Sequence, residues 1–348
     1  MTIPTDPVIG VDVGASTISA GLVCPDGTVF ATAQAPTRGA GPVVDTIFAL
    51  IDRALAAAKE SRLRVAGIGL GLPGLVDVEK GFMRSMPFSF LTDLGDVPLA
   101  SLIHARTGHS VFVDNDVNAL ALGEWMFGLG RGTSSLATVA IGTGIGAGLI
   151  VDRRLVRGHL HGAGEIGHLA VSLTGPLCVC GGIGCLATYV AGGMMSERAR
   201  ERLVRYPNSA VLARTGGHPE RISSELLFEA AAAGDPLAHE VVDEACEALA
   251  IGIGALVNLL NPEVIVITGG VAASLARSRT TSSAGSGAGL SPRARRDQRV
   301  RGARRQACYR PRRGGSGPLR DGPARPGHLK RGAHDVRSSA GRPTSSTR

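Results

Sequence analysis

The chain has 348 residues, long enough for two domains of ordinary size, each with its own core. Hydrophobic residues make up 44% and aromatic residues only 3%, so the packing must rest on Val, Leu, Ile and Ala. The formal charge of +8 belongs to one end: residues 273–348 hold 18 Arg and 1 Lys against 3 Asp, which leaves the preceding 272 residues at −8, and no run of 18 uninterrupted apolar residues exists to cross a membrane.

The polar start, MTIPTDP, runs straight into VIGVDV, ISAGLV and TVFATAQ, three β-branched runs read as strands over residues 8–33, with Asp26-Gly27 as the hairpin turn between the second and third. Ile47, Leu50, Ile51 and Leu55 fall at helical spacing within 43–60. VAGIGLGLPG (65–74) reads as a buried strand closing in a glycine-proline turn, VFVDND (111–116) as a second short strand, and VNALALGEWMFG as a helix starting directly behind two acidic residues. Strand and helix alternate, the pattern of an α/β layered domain. A second set opens at Ser135, where LATVAIGTGIGAGLIVDRRLVRG gives two strands about a glycine-rich turn. Helices are expected over 186–205, 223–233 and 235–260, the last with Asp235 as N-cap and Pro236 at the first helical position, before the strand VIVITGG (264–270). Two such units predict duplicated lobes around a cleft, with boundaries at 1–117 and 118–272.

Between them lies GAGEIGHLAVSLTGPLCVCGGIGC, in which His168, Cys178, Cys180 and Cys185 fall within 18 residues. One imidazole and three thiols form a Cys3His set, a standard closed structural zinc site, and the intervening glycines let the backbone fold around a point. Glu165, three residues earlier, would be fixed by the same metal. Thiols used for metal rather than disulfides fit a reducing, cytoplasmic compartment. After VIVITGGVAAS the composition turns to Arg, Ser, Gly, Pro and Ala, too poor in clustered aliphatics to offset ordering entropy. The switch falls inside a recognisable element and reads as a frame change in GC-rich coding sequence, with a genuine disordered tail as the alternative. Arg-rich tails can neutralise phosphates, but Tyr309 is its one aromatic for stacking and no DNA-reading motif is visible, so nucleic acid is not the expected partner.

In combination, IGVDVGASTISAGLV, GLGLPGLVD, FVDNDVNALALGE, IGTGIGAGLI, GAGEIGH, CVCGGIGC and ITGGV resemble the ROK family of actin-like sugar kinases and sugar-responsive repressors, over roughly residues 8–275. The resemblance implies an actin-like, ribonuclease H-like two-lobed fold with an inter-lobe cleft, ATP with magnesium, and phosphoryl transfer to a hexose or N-acetylhexosamine hydroxyl, commonly at carbon 6. It makes Asp116 the catalytic base and Asn115 a sugar ligand. An Asp at a strand end can take the proton of an attacking hydroxyl, although an Asp before a helix also serves as a cap. Glu165 and His168 match the family's sugar ligands, and one His168 nitrogen can orient a hydroxyl while the other binds metal. Gly74 would line the sugar pocket from the opposite lobe. Asp12, Gly14, Ser16 and Thr17 form one phosphate turn, with Asp12 placed to hold magnesium through water, and Gly142, Thr143 and Gly144 form the partner loop. Gly269 and Gly270 match the adenosine-side loop. Homodimers or homotetramers are common in the family.

Three features depart from the pattern. The family's kinases usually carry a glutamate two positions after the last zinc cysteine, where this chain has Ala187; an unpaired sugar hydroxyl would cost about 1–3 kcal/mol unless Thr188 or water replaces it. Their first phosphate loop usually ends in lysine, where this chain has Thr17. The body also stops before the elements that should close the second lobe. A sugar-binding regulator and an inactive truncated kinase are therefore the alternatives to a glucokinase-like enzyme. Only seven residues precede the first strand, which argues against the winged-helix module of family regulators.

Overall fold

The computed structural model describes the side chains of residues 6–39, 41–85 and 91–275 and, beyond these, the backbone of 276–279, 301–303 and 306–309. The first lobe is built on β1 (Val8–Val13), β2 (Thr17–Val23), β3 (Val29–Pro36), helix α1 (Val43–Glu60) and β4 (Ile68–Leu72). A small hairpin of β5 (Val76–Asp77) and β6 (Phe82–Met83), helix α2 (Leu99–Thr107) and β7 (Val111–Asn115) complete it. The sheet order is β3-β2-β1-β4-β7, with β2 antiparallel to both neighbours and β1, β4 and β7 parallel. Alternation in β1 and β2 sends Ile9, Val11, Val13, Ile18, Ala20 and Leu22 into a core shared with Ile47, Ile51 and Ala54 of α1. Pro42 offers α1 no side-chain cap, and Asp93 supplies one from elsewhere by accepting the Val43 N–H at 3.0 Å. The sequence reading missed α2, although Pro98 before it and the left-handed Gly108 after it are the signals of a helix start and stop.

Helix α3 (Asp116–Met126) leaves β7 directly and crosses to the second lobe. There Leu122 and Trp125 cover Leu136, Ile150, Val264 and Val266 on one face of the second sheet. Close approach depends on Gly148, where a Cβ would stand 2.4 Å from Ala121 Cβ and 2.5 Å from the Val117 carbonyl. That sheet comprises β8 (Leu136–Ile141), β9 (Ile145–Val151), β10 (Arg154–Val156), β11 (Val264–Thr268), β12 (Arg301–Ala303) and β13 (Gln306–Tyr309). Its order is β10-β9-β8-β11-β13-β12. The first four repeat the β3-β2-β1-β4 pattern of the other lobe, with β11 parallel to β8 and β9 antiparallel to it. The repeat fails at the next position: β13 runs antiparallel to β11, whereas β7 runs parallel to β4. Both β12 and β13 fall inside the Arg-rich segment that the composition marked as patternless, and most of that segment lies outside the described residues.

Helices cover the sheet's other face: α4 (Ala187–Val190), α5 (Gly192–Arg202), α6 (Ala210–Arg214), α7 (Ser224–Ala232), α8 (Pro236–Leu260) and α9 (Gly270–Arg279). The single helix expected over 186–205 is divided, because Ala191 is extended and Gly192 donates its N–H to the Gly142 carbonyl at 2.9 Å. A tertiary bond to a loop thus overrides local helical continuity. Helix α8 starts as read: Asp235 accepts the Ala238 N–H at 2.9 Å with Pro236 at the first position, and its other oxygen takes Ser209 Oγ and the Ala210 N–H. Among the described residues no helix is long and apolar enough to cross a membrane.

Candidate active site

The cleft is floored by the carboxyl ends of the parallel strands of the first sheet. Register places Asp12 of β1 opposite Gly71 of β4, and Gly71 opposite Asp114 of β7. Gly71 is the only one of these three without a side chain, and the space is used: a Cβ there would lie 3.2 Å from Asp116 Cα. Asp116 therefore settles over β4, facing Asp12 across the gap. Its carboxyl is pushed up to about 6, first by burial and then by the charges of Asp12 and Glu165, against the opposing pull of the Val117 N–H. Asp12 and Glu165 keep an open path to solvent, yet the cleft walls desolvate both and raise them too. In Glu165 the neighbouring His168 works in the other direction. Three carboxylates from three separate chain segments thus converge on one space.

The helix cap is Asn115 rather than Asp116: its Oδ1 accepts the N–H groups of Val117 and Asn118, and its Nδ2 donates to the Gly74 carbonyl at 3.1 Å. Asp116 occupies the first helical position, so its carboxylate also meets the favourable end of the helix dipole. The cap reading belongs to Asn115, which leaves Asp116 available for chemistry and engages much of the hydrogen-bonding capacity through which Asn115 would grip a sugar. Gly74, at φ +77°, is held by that same bond. Asp114, in the same tripeptide, is fully committed. One oxygen takes the Asn115 N–H and Asn118 Nδ2, and the other takes Nε and a terminal nitrogen of Arg157 at 3.0 and 2.6 Å. This tie joins β7 to the segment after β10; Arg157 carries no local motif that would reveal it.

The opposite wall comes from the segment holding Glu165 and His168. Gly164, at φ +91°, accepts the Ala147 N–H of β9 at 2.8 Å, and a Cβ at Gly164 would collide with the Ala147 carbonyl at 1.8 Å. Only glycine permits this fastening. Glu165 then precedes a 3-10 turn, Ile166–His168, which aims the carboxylate and the imidazole together. His168 Nδ1 lies 3.6 Å from Cys178 Sγ, Cys180 and Cys185 sulfurs are 3.7 Å apart, and the four ligand atoms all fall within 4.8 Å of one another. A tetrahedron with Zn–S bonds of about 2.3 Å has S···S edges of about 3.8 Å, so the spacing suits zinc. Burial and the adjacent thiols push Cys185 up to about 12, a cost that a cation at the centre would reverse.

Ala187 begins α4 and sits over Gly167, where an added Cβ would be 3.5 Å from the Ala187 Cβ. Position 187 thus abuts the Glu165–His168 turn. Thr188 does not take the place of the absent carboxylate: it is buried, and its hydroxyl donates to the Cys185 carbonyl at 2.7 Å.

The two glycine-rich turns meet across the cleft. Gly14 donates its N–H to the Thr17 carbonyl, and Gly142 to the Gly144 carbonyl, making two tight turns at the ends of β1 and β8. Ala15, Ser16 and Thr143 line one open cavity of about 430 Å³, joined by Arg38, which sequence reasoning missed. Thr17 is exposed at the end of its turn. Gly269, at φ +100°, packs against β8 so closely that a Cβ would lie 2.3 Å from the Ile141 carbonyl, and Gly270 opens α9 beside it. These two glycines stand at the neighbouring strand end and do not line the cavity itself.

Known proteins resemble this chain in sequence and fold. A glucokinase of Thermotoga maritima is 34% identical over 268 residues, which span 77% of this chain and 83% of that protein. The ROK family glucokinase of Streptomyces griseus, solved with glucose and AMPPNP, is 33% identical with a TM-score of 0.66, covering 79% of this chain and 88% of that one. The DNA-binding transcriptional repressor Mlc of Escherichia coli is 32% identical over 65% of this chain and 54% of its own length. With the ROK family model matching residues 8–281, and with the first four strands of each sheet in the same order, this chain is a member of the ROK family.

Proposed function

We propose that the protein is an ATP-dependent hexose kinase, glucokinase-like, that phosphorylates a hexose or N-acetylhexosamine at the O6 hydroxyl. The observation that carries this reading is the half-buried Asp116 carboxyl, raised to about 6 and facing Asp12 and Glu165 over the ends of β1, β4 and α3. A base poised just below neutrality can hold a hydroxyl proton and still be ionised at working pH. In the step envisaged, the sugar hydroxyl gives its proton to Asp116 as its oxygen bonds to the γ-phosphorus. The bond from that phosphorus to the β-phosphate oxygen breaks, and ADP leaves. Glu165 and His168 Nε2 orient the ring, assisted by Asn115 and the Gly74 turn. Gly14, Ser16, Thr17, Gly142, Thr143 and Gly144 accommodate the phosphates, with Gly269 and Gly270 on the adenosine side. Asp12 is the residue that would hold magnesium, which supplies charge neutralisation at the phosphates when bound. His168 Nδ1 and the sulfurs of Cys178, Cys180 and Cys185 would hold zinc, stiffening the turn that presents Glu165.

A second reading, sugar binding without turnover, is favoured by Ala187 and Thr17, and repressors stand among the relatives. Coupled ADP-release assays with glucose, N-acetylglucosamine, N-acetylmannosamine and fructose separate the two. Turnover with at least one sugar, lost in Asp116→Asn, is the expected result. Saturable sugar binding with no ADP release from any of them would establish the regulator reading, and neither binding nor turnover would mark an inactive chain.

A further inference from the structure

A kinase cleft must neutralise a polyphosphate, and the two loops assigned to that task are almost uncharged. Ala15, Ser16 and Thr143 line the cavity between them without contributing a formal charge, and Thr17 ends the first turn where a cation would be useful. Among the described residues lining the cavity, Arg38 alone is charged. Its position is set by its neighbour. Thr37 is fully buried, donates its hydroxyl to the Gly14 carbonyl at 2.7 Å and its N–H to the Ser16 carbonyl at 3.0 Å. Those bonds fasten the end of β3 to the first phosphate turn, so Arg38 travels with that turn instead of with a separate loop.

From this juxtaposition we infer that Arg38 is a phosphate-binding residue, contacting the β and γ phosphates of the nucleotide and supplying from the end of β3 the positive charge that position 17 lacks. A guanidinium is always charged and presents paired donors that match phosphate oxygens, and hydrogen bonds to charged groups are the strong ones. The exposed side chain lines the cavity from a backbone that the Thr37 bonds hold to the first turn. The inference rests on the nucleotide half of the proposed function and does not depend on which sugar is phosphorylated.

The test uses the full chain, binding measured by calorimetry with magnesium-AMPPNP and with AMP, which lacks the β and γ phosphates. Arg38→Ala should weaken AMPPNP about tenfold or more while AMP stays within about twofold, and Arg38→Lys should recover part of the loss. AMPPNP affinity unchanged in Arg38→Ala, or an equal loss of AMPPNP and AMP, would overturn the assignment, as would a parent protein that fails to bind AMPPNP. A parent that binds AMPPNP but phosphorylates no hexose would defeat the kinase reading alone, with the Arg38 comparison still decisive.

Discussion

Replacing Asp116 by Asn should remove turnover and at the same time stabilise the fold. The native carboxyl sits at about 6 instead of its ordinary 3.8, so the folded protein holds this proton more tightly than the unfolded chain does. The ionised group therefore costs stability: nothing below about pH 3.8, increasingly up to about pH 6, and a constant amount above. A shift of roughly two units at about 1.36 kcal/mol each gives about 3 kcal/mol. The residual path to solvent reduces this, and an Asn at the first helical position forgoes about 0.3–1 kcal/mol of favourable dipole interaction. A net gain of about 1–2 kcal/mol follows, provided Asn keeps the bond that Asp116 accepts from the Val117 N–H at 2.9 Å, which its amide oxygen can do. Calorimetric melting at pH 8 should show the variant several degrees higher, at about 2–4 °C per kcal/mol, and most of the difference should vanish at pH 4. Turnover should fall by about 10²–10⁴. A variant no more stable than the parent at pH 8, or one equally stabilised at both pH values, would refute the claim that Asp116 is held ionised against its surroundings.

Other outcomes follow from the same geometry. With Asp116 as base, kcat/KM for the sugar should fall tenfold per pH unit below about pH 6 and level off above it, read from initial rates. Purified protein should carry zinc in equal molar amount by elemental analysis, and chelation should increase amide exchange across residues 161–190, because structural zinc energy is folding energy. No zinc and freely reactive cysteines would eliminate that site. Ala187→Glu should strengthen sugar binding about tenfold with ATP affinity unaltered, since the new carboxylate stands beside the Glu165–His168 turn. Gly148→Ala should destabilise by about 1–3 kcal/mol through collision with α3, whereas Gly254→Ala, where a Cβ meets nothing within 4 Å, should stabilise α8 by up to about 1 kcal/mol; thermal melts read both.

Much of this was written locally. Alternation in β1, the Asp235-Pro236 helix start and the glycine turns depend on residues a few positions apart, and the Cys3His set is legible because its ligands are close in sequence. What the chain could not announce were relations between distant segments. Asp12 and Asp116 are brought together by strand register and by an empty Gly71, Glu165 is added from the other lobe by the Gly164–Ala147 bond, Arg157 reaches Asp114 from 43 positions away, and Arg38 joins the cavity through bonds made by Thr37. The division of the helix at Ala191 has the same origin, a backbone bond from Gly192 to a loop 50 residues earlier. Local propensity and spacing fix the elements and their motifs, because those energies act within one or two turns of chain. Electrostatic coupling, desolvation and steric seating arise only when separate segments share one volume, so the perturbed carboxyl of Asp116 and the role of position 38 emerged with the tertiary structure.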